Sequence, residues 1–106
     1  MSDPQPGHVI TVFRSRLNPG VEADYAVVAA EMFGIASSMP GFVSIEDFTS
    51  DDGERLAIVV FESTEAQQAW RAHPRHLEVQ ELARERFYAE YSVAICECVR
   101  AHRWCR

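Results

Sequence analysis

Trp70, His73, Pro74 and His76 lie together in the stretch AWRAHPRHLEVQ. Histidine ionises near neutral pH, so either imidazole is a candidate general base or metal ligand. Tryptophan offers a flat apolar wall beside them. Beyond Pro74, a helix plotted at about 100° per residue divides into three strips. Glu78, Glu81 and Glu85 form the solvent face, and His76, Val79, Ala83 and Phe87 lie opposite, with Leu82 flanking. The third strip carries Leu77, Gln80, Arg84, Tyr88 and Tyr91, and a small bend at Pro74 brings Trp70 and His73 near it. Aromatic bulk mixed with a few polar groups suits the wall of a ligand pocket.

Each residue also has a plainer reading. A histidine beside a helix bend caps backbone groups or meets solvent. Trp70 serves equally as a core residue or an interface anchor. Arg84 has Glu81 and Glu85 within reach for a surface pair. Zinc accepts two histidines three apart on a helix, but the proline distorts that spacing and no carboxylate completes the set. No metal is therefore expected. Cys96 and Cys98 share one side of a strand and read as buried structural cysteines. Gly-rich phosphate loops, dinucleotide fingerprints and the nucleophile elbow of α/β-hydrolases are all missing.

The elements that must carry these residues follow from periodicity. HVITVFRSRL is rich in β-branched and aromatic residues and reads as a strand ended by NPG. From Val21 to Ser38 the apolar residues Tyr25, Val28, Ala29, Met32, Ile35, Ala36 and Met39 recur at helical spacing. PGF at Pro40 to Phe42 ends that helix. FVSIEDF and RLAIVVFE are strands joined by a turn over Thr49 to Gly53, with Asp-Gly as its signal. STEAQQAW opens a second helix, with Ser63 or Thr64 as N-cap and a capping-box spacing from Thr64 to Gln67. That helix is expected to bend at Pro74 and run to about Glu90. Pro74 pushes His73 out of the helical region and itself suits a first helical position. YSVAICECV is the last strand.

The order β-α-β-β-α-β defines an α+β, ferredoxin-like domain over residues 8–100, between an N-terminal tail (1–7) and a C-terminal tail (101–106). The strand Leu56 to Phe61 is apolar at almost every position, so both its faces need covering. Two helices cover one face; a second copy of the chain is the simplest cover for the other. With 106 residues, one domain is expected. The net charge of −6 argues against nucleic acid or an anionic membrane as partner. No apolar run is long enough to span a bilayer, the N-terminus lacks a signal-peptide pattern, and three cysteines fit a reducing compartment. The cytoplasm is the expected location.

The segments PGFVSIEDF, DGERLAIVVFES and AWRAHPRHLEVQELARERFYAEYSV together resemble the antibiotic biosynthesis monooxygenase superfamily, from about His8 to Arg100. The resemblance implies a homodimeric α+β barrel with a pocket in each subunit between sheet and helices. The superfamily includes cofactor-independent oxygenases of aromatic polyketides, quinol oxygenases and haem-degrading enzymes. In the haem-degrading branch, an iron-ligating histidine follows the second-helix tryptophan by about three turns. The matching place here is near Gln80, with His76 a turn early, and the first strand lacks that branch's asparagine. The cofactor-free branch asks only for an aromatic-lined pocket, a base and a positive group. On that resemblance His73 or His76 is the base, Arg84 steadies the anion, and Trp70, Gln80, Phe87 and Tyr88 hold the ring. The expected function is a small monooxygenase of an aromatic, polyketide- or quinol-like substrate, without cofactor. The competing expectations are a non-catalytic ligand-binding dimer and a haem-binding protein.

Overall fold

The computed structural model describes residues 3–106 of the chain, so residues 1 and 2 of the expected N-terminal tail lie outside the described residues. Strand β1 (Val9–Leu17) is followed by α1 (Glu22–Ser37), β2 (Phe42–Thr49), β3 (Arg55–Phe61), α2 (Thr64–Arg71), α3 (Pro74–Arg86) and β4 (Tyr88–Glu97). The four strands form one antiparallel sheet in the order β2-β3-β1-β4. This is the ferredoxin-like α+β arrangement expected from the sequence.

The register assigns each residue to a face, because directly opposed residues in antiparallel strands point the same way. Val9 faces Phe61 and Glu97, and Phe13 faces Ala57 and Val93. Phe61 packs with Ala36 of α1 and Trp70 of α2, so the face carrying Val9, Phe13, Phe61 and Val93 is the helix side. Met32, Ile35, Met39, Phe42, Ile45, Val59 and Ala66 close around that core. The opposite face carries Ile10, Val12, Leu56, Ile58, Ala94 and Cys96. Near its β2-β3 turn that face becomes ionic, with Arg14 paired to Glu54 and Arg16 to Asp52 and Glu90.

Three expectations need correction. The second helix breaks at Pro74 as expected, α2 stopping at Arg71 and α3 starting at Pro74, but it does not run to Glu90: α3 ends at Arg86 and β4 begins already at Tyr88. Tyr88 joins the strand ahead of Tyr91 because the β1 edge offers it a ladder position opposite Leu17, and pairing overrides the local helical pattern. The Thr64–Gln67 capping box does not form. Ser63 takes the N-cap, its hydroxyl accepting from the Ala66 N–H at 3.1 Å, which makes Thr64 the first helical residue. Cys96 is exposed and Cys98 only partly buried, because they lie at an edge strand whose outer face no helix covers.

The chain ends are tied together. The Gly7 N–H donates to the Cys98 carbonyl and the Cys98 N–H to that of His8, extending the β1-β4 ladder. Asp3 and Arg103 form an ion pair beyond it.

The PGF stop has a specific geometry. Gly41 adopts φ +82°, and a Cβ there would lie 2.6 Å from the Ala66 Cβ of α2. Gly20 has φ +84° with nothing near. Gly41→Ala therefore suffers both backbone strain and collision, and should lower unfolding stability by more than about 2 kcal/mol, against about 1 kcal/mol for Gly20→Ala. Urea denaturation of the two variants checks the difference.

Candidate functional site

Ser63 anchors the start of α2, which turns Gln67 and Trp70 inward; both are buried. The helix ends at Arg71 because Pro74 holds His73 at φ −57°, ψ 130°. His73 is the N-cap of α3, its Nδ1 accepting from the Arg75 N–H at 3.1 Å. One of its ring nitrogens is thus spent on the backbone.

His76, in the first turn of α3, folds back over Trp70. The two rings are parallel, with 8° between planes and 4.0 Å between centroids. His73 stands farther off, 6.2 Å from the same ring and tilted by 45°. The Nδ1 of His76 lies 3.1 Å from the main-chain oxygen of Trp70. A carbonyl oxygen only accepts, so Nδ1 carries the proton and the neutral ring keeps its lone pair on Nε2. One turn on, the Gln80 side-chain amide lies 3.4 Å from that Nε2 and donates to it. Burial holds the imidazole below its ordinary pKa of 6.5; the Trp70 carbonyl opposes the shift and His73 adds to it. At neutral pH His76 is therefore an uncharged base with one defined basic atom.

Phe87 and Tyr88 belong to a second group. Phe87 is fully buried beside Tyr25 of α1, edge to face at 5.7 Å. Tyr88 meets Phe13 at 5.4 Å, Tyr91 at 5.4 Å and Tyr25 at 5.8 Å between centroids. The hydroxyls of Tyr25 and Tyr88 are 3.3 Å apart. Burial, reinforced by Tyr25, pushes the Tyr88 phenol far above its usual range, so it stays protonated.

The predicted site residues thus fall into two clusters and one outlier. Trp70, His76 and Gln80 converge, with His73 at their edge. Phe87 and Tyr88 converge elsewhere, with Tyr25. Arg84 is exposed on α3, about 12 Å along the helix axis from His76, and the structure does not bring it to either imidazole. Sequence reasoning passed over Arg55. This residue opens β3 on the helix side, in register with Ala57, Val59 and Phe61, and its guanidinium lies over the Tyr25 ring at 5.2 Å. Its odd-numbered place in an alternating strand was the available signal.

The clusters share one surface. Between them on the helix side, β4 presents Tyr91, Val93 and Ile95, each about half exposed. Together they form an exposed apolar strip along the helix side of β4. Among the described residues no group of three or more His, Cys, Asp or Glu side chains is arranged to hold a metal ion, and no helix is long and apolar enough to cross a membrane.

This four-stranded antiparallel sheet with its helices on one face is found in known proteins. The chain belongs to the antibiotic biosynthesis monooxygenase family, whose sequence model matches residues 8–82. The Bacillus subtilis protein YqjZ is 27% identical over 94 residues, covering 89% of this chain and 82% of its own. SnoaB from Streptomyces nogalater, a cofactor-independent oxygenase, superposes with a TM-score of 0.76 at 20% identity over 90% of this chain and 96% of its own. Rv0793 from Mycobacterium tuberculosis gives a TM-score of 0.79 at 18% identity, over 89% of this chain and 97% of its own. At such identities the structural likeness establishes the fold.

The His76 environment has a measurable consequence. Folding lowers the His76 pKa, so the unfolded chain binds that proton more tightly. The native state therefore loses stability as pH falls below 6.5, and the loss levels off below the folded-state pKa. His76→Gln should flatten this slope. In an NMR titration the His76 ring protons should show a midpoint below 6.5.

Proposed function

We propose that this chain is a cofactor-independent monooxygenase of an electron-rich phenol, quinol or anthrone, working as a homodimer, with Nε2 of His76 as general base once the long Gln80 amide contact yields to substrate. The observation that carries the reading is the His76–Trp70 stack. Buried Trp70 backs the ring with an aromatic wall, its carbonyl fixes one imidazole tautomer, and burial keeps the ring neutral. Family membership and the fold shared with SnoaB, itself a cofactor-independent oxygenase, support the same class of reaction.

The chemistry is written for an anthrone. Nε2 removes a proton from the acidic ring carbon and leaves a delocalised carbanion-enolate. That anion gives one electron to dioxygen, and the resulting radical pair combines into a C–O bond. The peroxide then loses water: one oxygen atom becomes the quinone carbonyl, and the other leaves with two hydrogens. The substrate supplies all the electrons. The protein supplies the base, and a cleft that keeps water from competing for the anion.

The homodimer is supported by the uncovered sheet face. Ile10, Val12, Leu56, Ile58 and Ala94 form an apolar field flanked by ion pairs, and a second copy offers a matching field.

Oxygen uptake with anthrone or a substituted hydroquinone tests the function. His76→Ala should lower kcat by roughly 100- to 10,000-fold, the usual worth of a general base. His73→Ala should cost far less. Equal losses in the two variants, or no uptake by the native protein with any such substrate, would sink the assignment. Separately, Ile58→Glu should shift the sedimentation coefficient from dimer to monomer, because it buries an unpaired carboxylate at the centre of that face.

A further inference from the structure

Three arginines are not fully exposed: Arg16, Arg55 and Arg75. Arg16 is held by Asp52 and Glu90, and Arg75 by Glu31 and Glu78. Arg55 has no carboxylate partner among the described residues and rests only against the ring of Tyr25. Two neighbouring carboxylates are already engaged, Asp24 with Arg86 and Glu54 with Arg14. A half-buried guanidinium without an anion keeps its planar fork of donors available.

The tyrosine pair beside it has a donor to spare. In the 3.3 Å contact between Tyr25 and Tyr88, one hydroxyl donates and the other accepts. The accepting hydroxyl retains its own proton, free to donate elsewhere. The Tyr88 phenol remains protonated at any working pH, so this end of the cleft offers donors and a positive charge.

We infer that Arg55, Tyr25 and Tyr88 form a carboxylate-binding subsite at the end of the cleft opposite His76, and that the ligand is an aromatic acid. A carboxylate fits because it is planar, accepts two parallel bonds from a guanidinium and has lone pairs left for a phenol O–H. Phe13 and Tyr91, stacked at 5.5 Å, form an apolar wall for the ring that carries it. The spacing agrees. Trp70 packs at the Phe61–Val9 end of the sheet and the tyrosines at the Phe13 end, four strand residues or about 13 Å apart. A fused-ring ligand bridges that distance along the Tyr91-Val93-Ile95 floor. The cleft and its aromatic ligand come from the function proposed above; the subsite itself needs no oxygenation chemistry.

Isothermal titration calorimetry with 6-hydroxy-2-naphthoate and its uncharged methyl ester tests the inference. The native protein should bind the acid about tenfold more tightly, the worth of one charge-assisted pairing. Arg55→Leu should abolish that preference, and Tyr88→Phe should reduce it while keeping the ring. Thermal melts establish that each variant is folded. If Arg55→Leu does not fold, the double variant Tyr25→Phe, Tyr88→Phe carries the test, since it retains both aromatic rings. Equal binding of acid and ester, no binding of either, or a preference that survives in the folded variants overturns the subsite. His76→Ala separates the two proposals: the acid preference should persist in it whether or not the native protein consumes oxygen.

Discussion

Pro74 has no N–H to give, and its ring keeps His73 in extended backbone. The helix that began at Ser63 must end there, and a new one must start on a different axis. Everything distinctive about the site depends on this interruption. The His73 side chain caps the new helix. His76 returns over the last turn of the old one, where the Trp70 carbonyl, already accepting the His73 N–H at 3.1 Å, takes the imidazole Nδ1–H as a second donor. Residues six apart do not share a face of a continuous helix, so an unbroken helix would keep the imidazole from that carbonyl.

The sheet imposes the second condition. Its helix side is core at the Phe61 end and an exposed apolar strip along β4, while its other side carries an apolar field that the chain itself leaves open. A domain of this size cannot bury both faces of four strands with so few helical turns. In the proposed homodimer a second copy covers that side, and the strip of Tyr91, Val93 and Ile95 on the helix side is left to a ligand. On that proposal, self-association and ligand binding fall on opposite faces of one sheet.

Electrostatics across the site are unequal by construction. His76 sits where burial removes its charge, against a ring face and a carbonyl. Farther along the sheet, in register with Ser15, Arg55 rests over Tyr25 and forms no ion pair with a carboxylate among the described residues. On the proposals made above, one end of the site takes a proton and the other holds an anion.

The amino-acid sequence by itself determined the strand and helix order, the one-sided sheet, the break at Pro74 and the inward face of His76, Val79, Ala83 and Phe87. Those features follow from local periodicity and from proline's missing donor, which act over a few residues. It also marked Trp70, His73, His76 and Gln80 as neighbours, since they lie within three turns of each other. The tertiary structure alone decided which histidine holds the defined basic atom, because that depends on a ring-over-ring contact and on the Trp70 carbonyl coming within reach of one imidazole. It moved Tyr88 from helix to strand, because the exposed edge of β1 is a partner no local window contains. It left Arg84 in solvent and set Arg55 beside Tyr25, a meeting of β3 and α1 across thirty positions of chain. Pairings at that separation are fixed by strand register and layer packing, which residue spacing along the chain does not encode.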